Sequence, residues 1–160
     1  MKRLPMNIHK WLLLAAGFVL TSSTTYLSAE DWPQWRGINR DAIWNETGVV
    51  ERFPDDGLTV KWRAPVRGGF AGPAVADGRV FILDYQETAG SRTMDGHERL
   101  VVFDEETGTV LWQQEWPATY RNLQFKFATG PRAVPTVDGN RVYTLGAAGM
   151  LSCFDTETGD

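Results

Sequence analysis

Two short runs of carboxylates are the residues with the clearest capacity for chemistry in this sequence. Asp55-Asp56 and Asp104-Glu105-Glu106 could supply the oxygen ligands that calcium prefers. Each run is followed closely by a glycine, Gly57 or Gly108, in a sequence that is typical of a tight turn. Carboxylates in such turns are more often solvated than bound to a metal, so we predict no metal site.

Nucleophilic catalysis would need a thiol or hydroxyl close to a base. The chain has one cysteine and two histidines. Cys153 lies in a stretch that is typical of a strand, and we interpret it as a small buried side chain. His97 lies in a polar insertion without a visible ligand partner, and His9 lies near the N-terminus. We therefore predict no catalytic residue.

Residues 1–29 have the order of a secretory signal peptide. Basic residues, Lys2 among them, precede the apolar run 11–20, and polar residues then lead to the small residue Ala29. A membrane-spanning helix needs about 20 apolar residues, and this shorter run disfavours an uncleaved anchor. We predict cleavage after Ala29 and export to the periplasm or the cell exterior, without membrane insertion afterwards.

The net charge of the chain is −4, and removal of the basic signal segment would make the remainder more acidic. Nucleic acids and anionic membranes attract basic protein surfaces. The charge therefore argues against both of them as partners.

An internal repeat supplies the elements that must position these residues. Residues 71–83 match residues 133–145, and residues 100–108 match residues 151–159. The copies are about 50 residues apart once an insertion within 85–98 is allowed for, which is a period typical of propeller blades.

Each copy predicts a meander of antiparallel strands. Val75 lies in a short first strand that ends at the Asp77-Gly78 turn. β-branched and aromatic residues predict the next strands at 79–83 and 100–103, and a fourth strand at 109–112 after the turn 104–108. Four such strands make one blade. Residues 59–62 resemble residues 109–112 and predict a lone strand before the first blade.

The pattern Phe103-Asp104-x-x-Thr107-Gly108-x-x-x-Trp112 resembles the tryptophan-docking motif of propellers with pyrroloquinoline-quinone (PQQ) type repeats. In that family the tryptophan packs against the turn of a neighbouring blade, and residues 155–159 repeat the turn here. The resemblance implies an all-β fold: a propeller of four-stranded antiparallel blades, about seven or eight in number.

We therefore predict a signal peptide (1–29), an N-terminal strap (30–57) and PQQ-like repeats (58–160) that are truncated at the C-terminus. The strap contains Asp31-Trp32-Pro33-Gln34-Trp35-Arg36-Gly37, which is similar to the start of many exported members of this family. Its aromatic and arginine side chains could form a lip for a ligand or partner. We favour the alternative, in which both tryptophan rings pack onto the propeller.

Three functions are compatible with this resemblance, because the fold alone does not decide between them. We favour a non-catalytic binding or scaffold module, similar to the assembly factor of the outer-membrane β-barrel insertion machinery, with a protein or another envelope component as partner. The second is a dehydrogenase that holds PQQ and calcium on the propeller axis. In such enzymes a pair of adjacent cysteines often covers the cofactor, and this chain has one cysteine. The third is a glycan- or peptide-binding propeller with the insertion 85–98 as its contact loop.

Overall fold

A computed structural model describes residues 29–121, 123 and 129–160 of the chain. The predicted signal peptide, apart from Ala29, lies outside these residues. All regular structure in the described part is β-strand, arranged in two antiparallel sheets, so the all-β prediction is confirmed. That part contains no helix long and apolar enough to cross a membrane.

The first sheet is a four-stranded meander in which each strand pairs with the next along the chain. The second sheet has three strands connected in the same order. The strands predicted from the repeat are present, and β2, β3 and β4 extend beyond the predicted limits. The strands are β1 Ala74–Ala76, β2 Arg79–Glu87, β3 Asp95–Asp104, β4 Val110–Thr119, β5 Thr136–Asp138, β6 Arg141–Leu145 and β7 Leu151–Asp155.

The insertion 85–98 lengthens a hairpin, and only part of it is a loop. β2 has 9 residues and β3 has 10, whereas β6 and β7 have 5 each. Pairing continues as far as Glu87 opposite Gly96, which leaves residues 88–94 as the loop. The prediction of a contact loop over the whole insertion is therefore wrong in part. The strands continue because Tyr85 keeps the alternation of β2 and buries its ring.

The two sheets pack face to face around an apolar core. The core-facing side chains of the first sheet alternate along β2 and β3, as strand geometry requires. They pack against Val142 of β6 and Phe154 of β7. Burial of each such side chain contributes about 1.5–3 kcal/mol to stability. These first-sheet residues, each at most 1% exposed, are Phe81, Leu83, Leu100 and Val102.

β3 and β7 each end in a turn that an aspartate closes. The Oδ1 atom of Asp104 accepts hydrogen bonds from the hydroxyl and the backbone N–H of Thr107, at 2.7 and 2.8 Å. Asp155 accepts from the backbone N–H groups of Glu157 and Thr158, at 2.9 and 3.1 Å. Because these bonds favour the charged carboxylate, they lower the pKa of both aspartates. The two carboxylates therefore hold the shape of the turns.

A tryptophan docks on each of these turns. The Trp62 indole donates its Nε1–H to the carbonyl oxygen of Glu105 at 2.8 Å, and its ring stacks beside Phe103. A Cβ atom on Gly108 would come within 2.5 Å of the Trp62 ring, so the turn needs a glycine there. The predicted docking motif is thus confirmed. The second copy repeats the indole hydrogen bond and the glycine contact with Trp112, Thr156 and Gly159.

The segment 59–62 is extended, but no described strand pairs with it. The lone strand predicted there was expected to have no preceding blade to pair with, so it stays a prediction. The docking of Trp62 holds the segment in place instead. An ion pair of 2.5 Å between the exposed side chains of Lys61 and Glu106 lies next to this contact.

One face of the second sheet is apolar, and no described element covers it. Tyr143, Leu145 and Leu151 are 38%, 47% and 69% exposed. The matching positions of the first sheet form the buried core described above. The same apolar face is therefore buried in the first sheet and exposed in the second.

We predict that Gly108→Ala destabilises the chain more than Gly57→Ala does. Both glycines have a positive φ, +71° and +81°, so alanine strains the backbone at either position, at a cost of about 1–2 kcal/mol. A Cβ at Gly57 would meet nothing within 4 Å, whereas one at Gly108 displaces the Trp62 ring.

We expect the free energy of unfolding, measured in urea by circular dichroism, to fall by about 2 kcal/mol more for Gly108→Ala than for Gly57→Ala. Equal losses in the two variants would show that the indole contact does not stabilise the fold.

Candidate binding surface

The lengthened hairpin carries a groove on the face of the first sheet that is turned away from the second sheet. Alternate residues of one strand share a face, so Asp95 and His97 of β3 lie beside Thr119 and Pro117 of β4, their register partners. Together with Thr88 they line a groove of about 350 Å³, which we call the hairpin groove. The structure thus places His97, for which no role was predicted, in a surface depression.

The hairpin groove contains a charged carboxylate. Hydrogen bonds from the hydroxyls of Thr93 and Thr119 lower the pKa of Asp95. The backbone N–H of Asp95 donates to the hydroxyl of Ser91 at 2.9 Å, which orders the adjoining loop. His97 is half-buried beside this carboxylate. The groove therefore offers an anionic acceptor, an imidazole and hydroxyl groups to a polar ligand.

A buried ion pair joins β2 to β3 on the same face. Asp84 is 1% exposed, and Arg99 binds it through Nη2 to Oδ2 at 2.6 Å and through Nε to Oδ1 at 3.1 Å. The backbone N–H of Arg67 also donates to Asp84, at 2.9 Å. The Arg67 side chain pairs with Glu115 of β4 at 2.6 Å. Because the buried charge is fully paired, it ties the hairpin to the segment before it instead of destabilising the core.

On the opposite face, Glu98 joins the first sheet to the second. The side chain is 1% exposed, and its Oε1 accepts from the Tyr120 hydroxyl at 2.6 Å and the Ala147 N–H at 2.8 Å. Its Oε2 accepts from Trp116 Nε1 at 3.0 Å. A Cβ on Gly146 would overlap this carboxylate, so the β6–β7 loop can approach closely. Burial and the hydrogen bond to Glu98 raise the pKa of Tyr120 far above its usual range, which keeps the phenol protonated as a donor.

The strap hydrogen-bonds to the first strand of each sheet, β1 and β5. Trp32 exchanges two backbone hydrogen bonds with Val75 of β1, at 2.8 and 3.0 Å, and the Pro33 carbonyl accepts from Val137 of β5 at 2.8 Å. Trp32 is half-buried, whereas Trp35 is 69% exposed. The prediction that both rings pack is therefore right for Trp32 and wrong for Trp35, because the chain turns back immediately after Pro33.

The other candidates from the sequence do not come together in one site. Cys153, predicted to be buried, is exposed on the open face of the second sheet. Its counterpart Val102 is buried because the second sheet covers it, and no described element covers Cys153. Asp55 and Asp56 are exposed in a turn. Across residues 29–121, 123 and 129–160, no group of three His, Cys, Asp or Glu could hold a metal ion.

Sequence reasoning missed the buried polar residues Asp84, Glu98 and Arg99. A signal was present, since Glu98 falls two residues before Leu100 on the core-facing side of β3, where an ionisable residue requires a partner. The partner Tyr120 lies beyond the end of β4, and only the fold brings its hydroxyl to Glu98.

The repeats match a known protein family. The family model described as outer membrane protein assembly factor BamB, which is built on PQQ-type repeats, matches residues 49–120 and 96–160. The two matches overlap and together cover more than two thirds of the chain, including both aspartate turns and both docked tryptophans. Among curated proteins, none matches the chain.

We predict that Glu98→Gln loosens the junction between the sheets. In Glu98→Gln an NH2 group replaces one carboxylate oxygen, and it cannot accept the hydrogen bond that this oxygen accepts. We therefore expect a loss of about 1–3 kcal/mol in the free energy of unfolding. We also expect faster hydrogen exchange at the Ala147 amide, because its acceptor is weakened. Glu87→Gln, which changes an exposed residue of the same hairpin, is the control. Unchanged exchange at Ala147 in Glu98→Gln would contradict the role of Glu98.

Proposed function

We propose that this chain, which belongs to the family of PQQ-type repeat β-propellers described as outer membrane protein assembly factor BamB, is a non-catalytic module that binds a protein of the cell envelope. The family description supports an envelope partner. The signal-like order of residues 1–29 supports export to the periplasm or the cell exterior.

The lengthened hairpin is the observation that carries this proposal. The β2–β3 hairpin is longer than the corresponding β6–β7 hairpin of the second copy. Its added residues extend the paired strands and form an ordered loop. The Tyr85 hydroxyl donates to the Met94 carbonyl at 2.8 Å, and the Tyr120 N–H donates to the same oxygen at 3.0 Å. A rigid projection with a groove on one face binds a partner with little loss of conformational entropy.

The state of the buried carboxylates also favours binding over catalysis. Asp84 and Glu98 each accept hydrogen bonds from three donors. A catalytic acid or base must reach a substrate with a free oxygen or proton, and these two groups are committed to holding the hairpin.

The described residues do not fit the calcium site of a PQQ-dependent dehydrogenase. Calcium needs six to eight oxygen ligands, and the carboxylates in this part of the chain form no group that could hold a metal. We therefore propose that the chain works without PQQ. In a quinoprotein, PQQ would supply oxidation of an alcohol or sugar.

Photo-crosslinking tests the hairpin as a binding surface. We expect a photoreactive amino acid at Gln86, which is exposed on the groove face, to give a discrete protein adduct in the envelope of the source organism. Asn140, exposed in the β5–β6 turn, is the control position and should give none. His97→Ala should weaken the Gln86 adduct.

Adducts that are identical at the two positions, or insensitive to His97→Ala, would contradict a protein partner at the hairpin groove. If no protein adduct forms and the purified chain binds oligosaccharides in a His97-dependent way, the partner is a glycan instead.

A reconstitution experiment tests the proposal that PQQ is not used. The purified chain is incubated with PQQ and calcium, dialysed and examined by absorbance, beside a known quinoprotein dehydrogenase as positive control. We expect no retained quinone spectrum and no dye reduction with alcohols or sugars. A stoichiometric quinone spectrum on this chain would overturn the non-catalytic proposal.

A further inference from the structure

A second cavity lies between the strap and the first sheet. Its volume is about 420 Å³, and its lining combines aromatic rings with acidic side chains. β3 separates it from the hairpin groove, since Glu105 follows the last residue of β3 and Asp95 is the first. With 10 residues in that strand, the two depressions are about 30 Å apart. The lining residues used below are Glu30, Trp32, Trp44 and Glu105, and we call this cavity the strap pocket.

The aromatic wall of the strap pocket is held in place by the backbone. The two hydrogen bonds between Trp32 and Val75 fix the strap against β1. The Trp32 ring lies over Gly37, where a Cβ would approach within 2.8 Å of the ring. Trp44 also lines the pocket and is 52% exposed, so its ring is available to a ligand.

The acidic side chains of the strap pocket are half-buried. Asn45 donates its backbone N–H to Oε2 of Glu30 at 2.8 Å, which orients that carboxylate. The carboxylate of Glu105 has no ion-pair partner among the described residues, because the neighbouring Lys61 pairs with Glu106.

Arg36 and Arg40, the basic residues of the strap loop next to Trp32, do not neutralise this pocket. Arg36 donates to the carbonyl of Asp41, and Arg40 donates to the side chain of Gln34, so both guanidinium groups bond within the strap loop. The lining itself contains no basic residue. The pocket therefore joins indole faces to uncompensated negative charge.

We propose that the strap pocket binds an organic cation, a quaternary or primary ammonium group. The face of an indole ring attracts a cation within about 6 Å, and a nearby carboxylate adds a charge-assisted contact. A neutral apolar ligand would gain from the rings but would desolvate Glu30 and Glu105 without supplying a positive charge to either carboxylate. This site is independent of the hairpin groove, so either proposal can fail without the other.

Titration with choline tests the strap pocket, with 3,3-dimethylbutan-1-ol as the uncharged ligand of the same shape. We expect choline to bind the full chain and the uncharged alcohol to bind about tenfold more weakly. Nα-acetyl-lysine-N-methylamide keeps the primary ammonium of its side chain. Comparing it with choline distinguishes a protein side chain from a free quaternary amine as the source of the cation. Binding is followed by calorimetry.

Matched variants locate the site. We expect Glu105→Gln and Trp44→Leu to weaken choline binding about tenfold. Glu87→Gln and Trp35→Leu change an exposed carboxylate and an exposed strap tryptophan outside the lining, and they should leave binding unchanged. Circular dichroism checks that each variant is folded. Equal binding of choline and the alcohol, equal effects of all four variants, or no binding of either ammonium compound would overturn the proposal.

Discussion

An indole ring that covers a glycine holds each repeat to the next. Gly108 exposes bare backbone, and Trp62 covers it while donating a hydrogen bond to the Glu105 carbonyl. The contact requires a correctly closed turn, because the carbonyl points at the indole only when Asp104 has fixed the residues that follow it. The tryptophan and the turn come from successive repeat units. The interaction that completes one unit therefore also sets the position of its neighbour.

Buried polar groups reinforce this arrangement where apolar packing ends. Glu98 connects the first sheet to the β6–β7 loop, and Asp84 connects the hairpin to the segment that precedes it. Each carboxylate is costly to bury alone, and each repays that cost through three donors held in fixed positions. Thr144 shows the contrast, since its buried hydroxyl has no hydrogen-bond partner in the described structure. A buried polar group in this chain thus fixes the orientation of its neighbours where several hydrogen-bond partners surround it. Where partners are missing, its burial only lowers the stability of the fold.

The sequence is sufficient to predict features that depend on neighbours along the chain. Alternating apolar residues predict β2 and β3, and the Asp-x-x-Thr-Gly spacing predicts the docking turns, because both are local rules. Burial depends on what lies opposite. Cys153 and Val102 occupy equivalent positions, yet only Val102 has a sheet packed against it. Glu98 and Tyr120 are 22 residues apart in the sequence and meet only in the folded chain. The hairpin groove likewise arises from two strands whose register no single segment encodes.

The open face of the second sheet has a consequence for how such a chain can change over evolutionary time. Tyr143, Leu145 and Leu151 repeat the apolar pattern that the first sheet buries against Val142. A tandem duplication of one repeat supplies both sides of a new interface at once, since the same coding segment encodes the covering face, the covered face and the docking tryptophan. Lineages can therefore gain or lose whole units by recombination, and each change reuses an existing core.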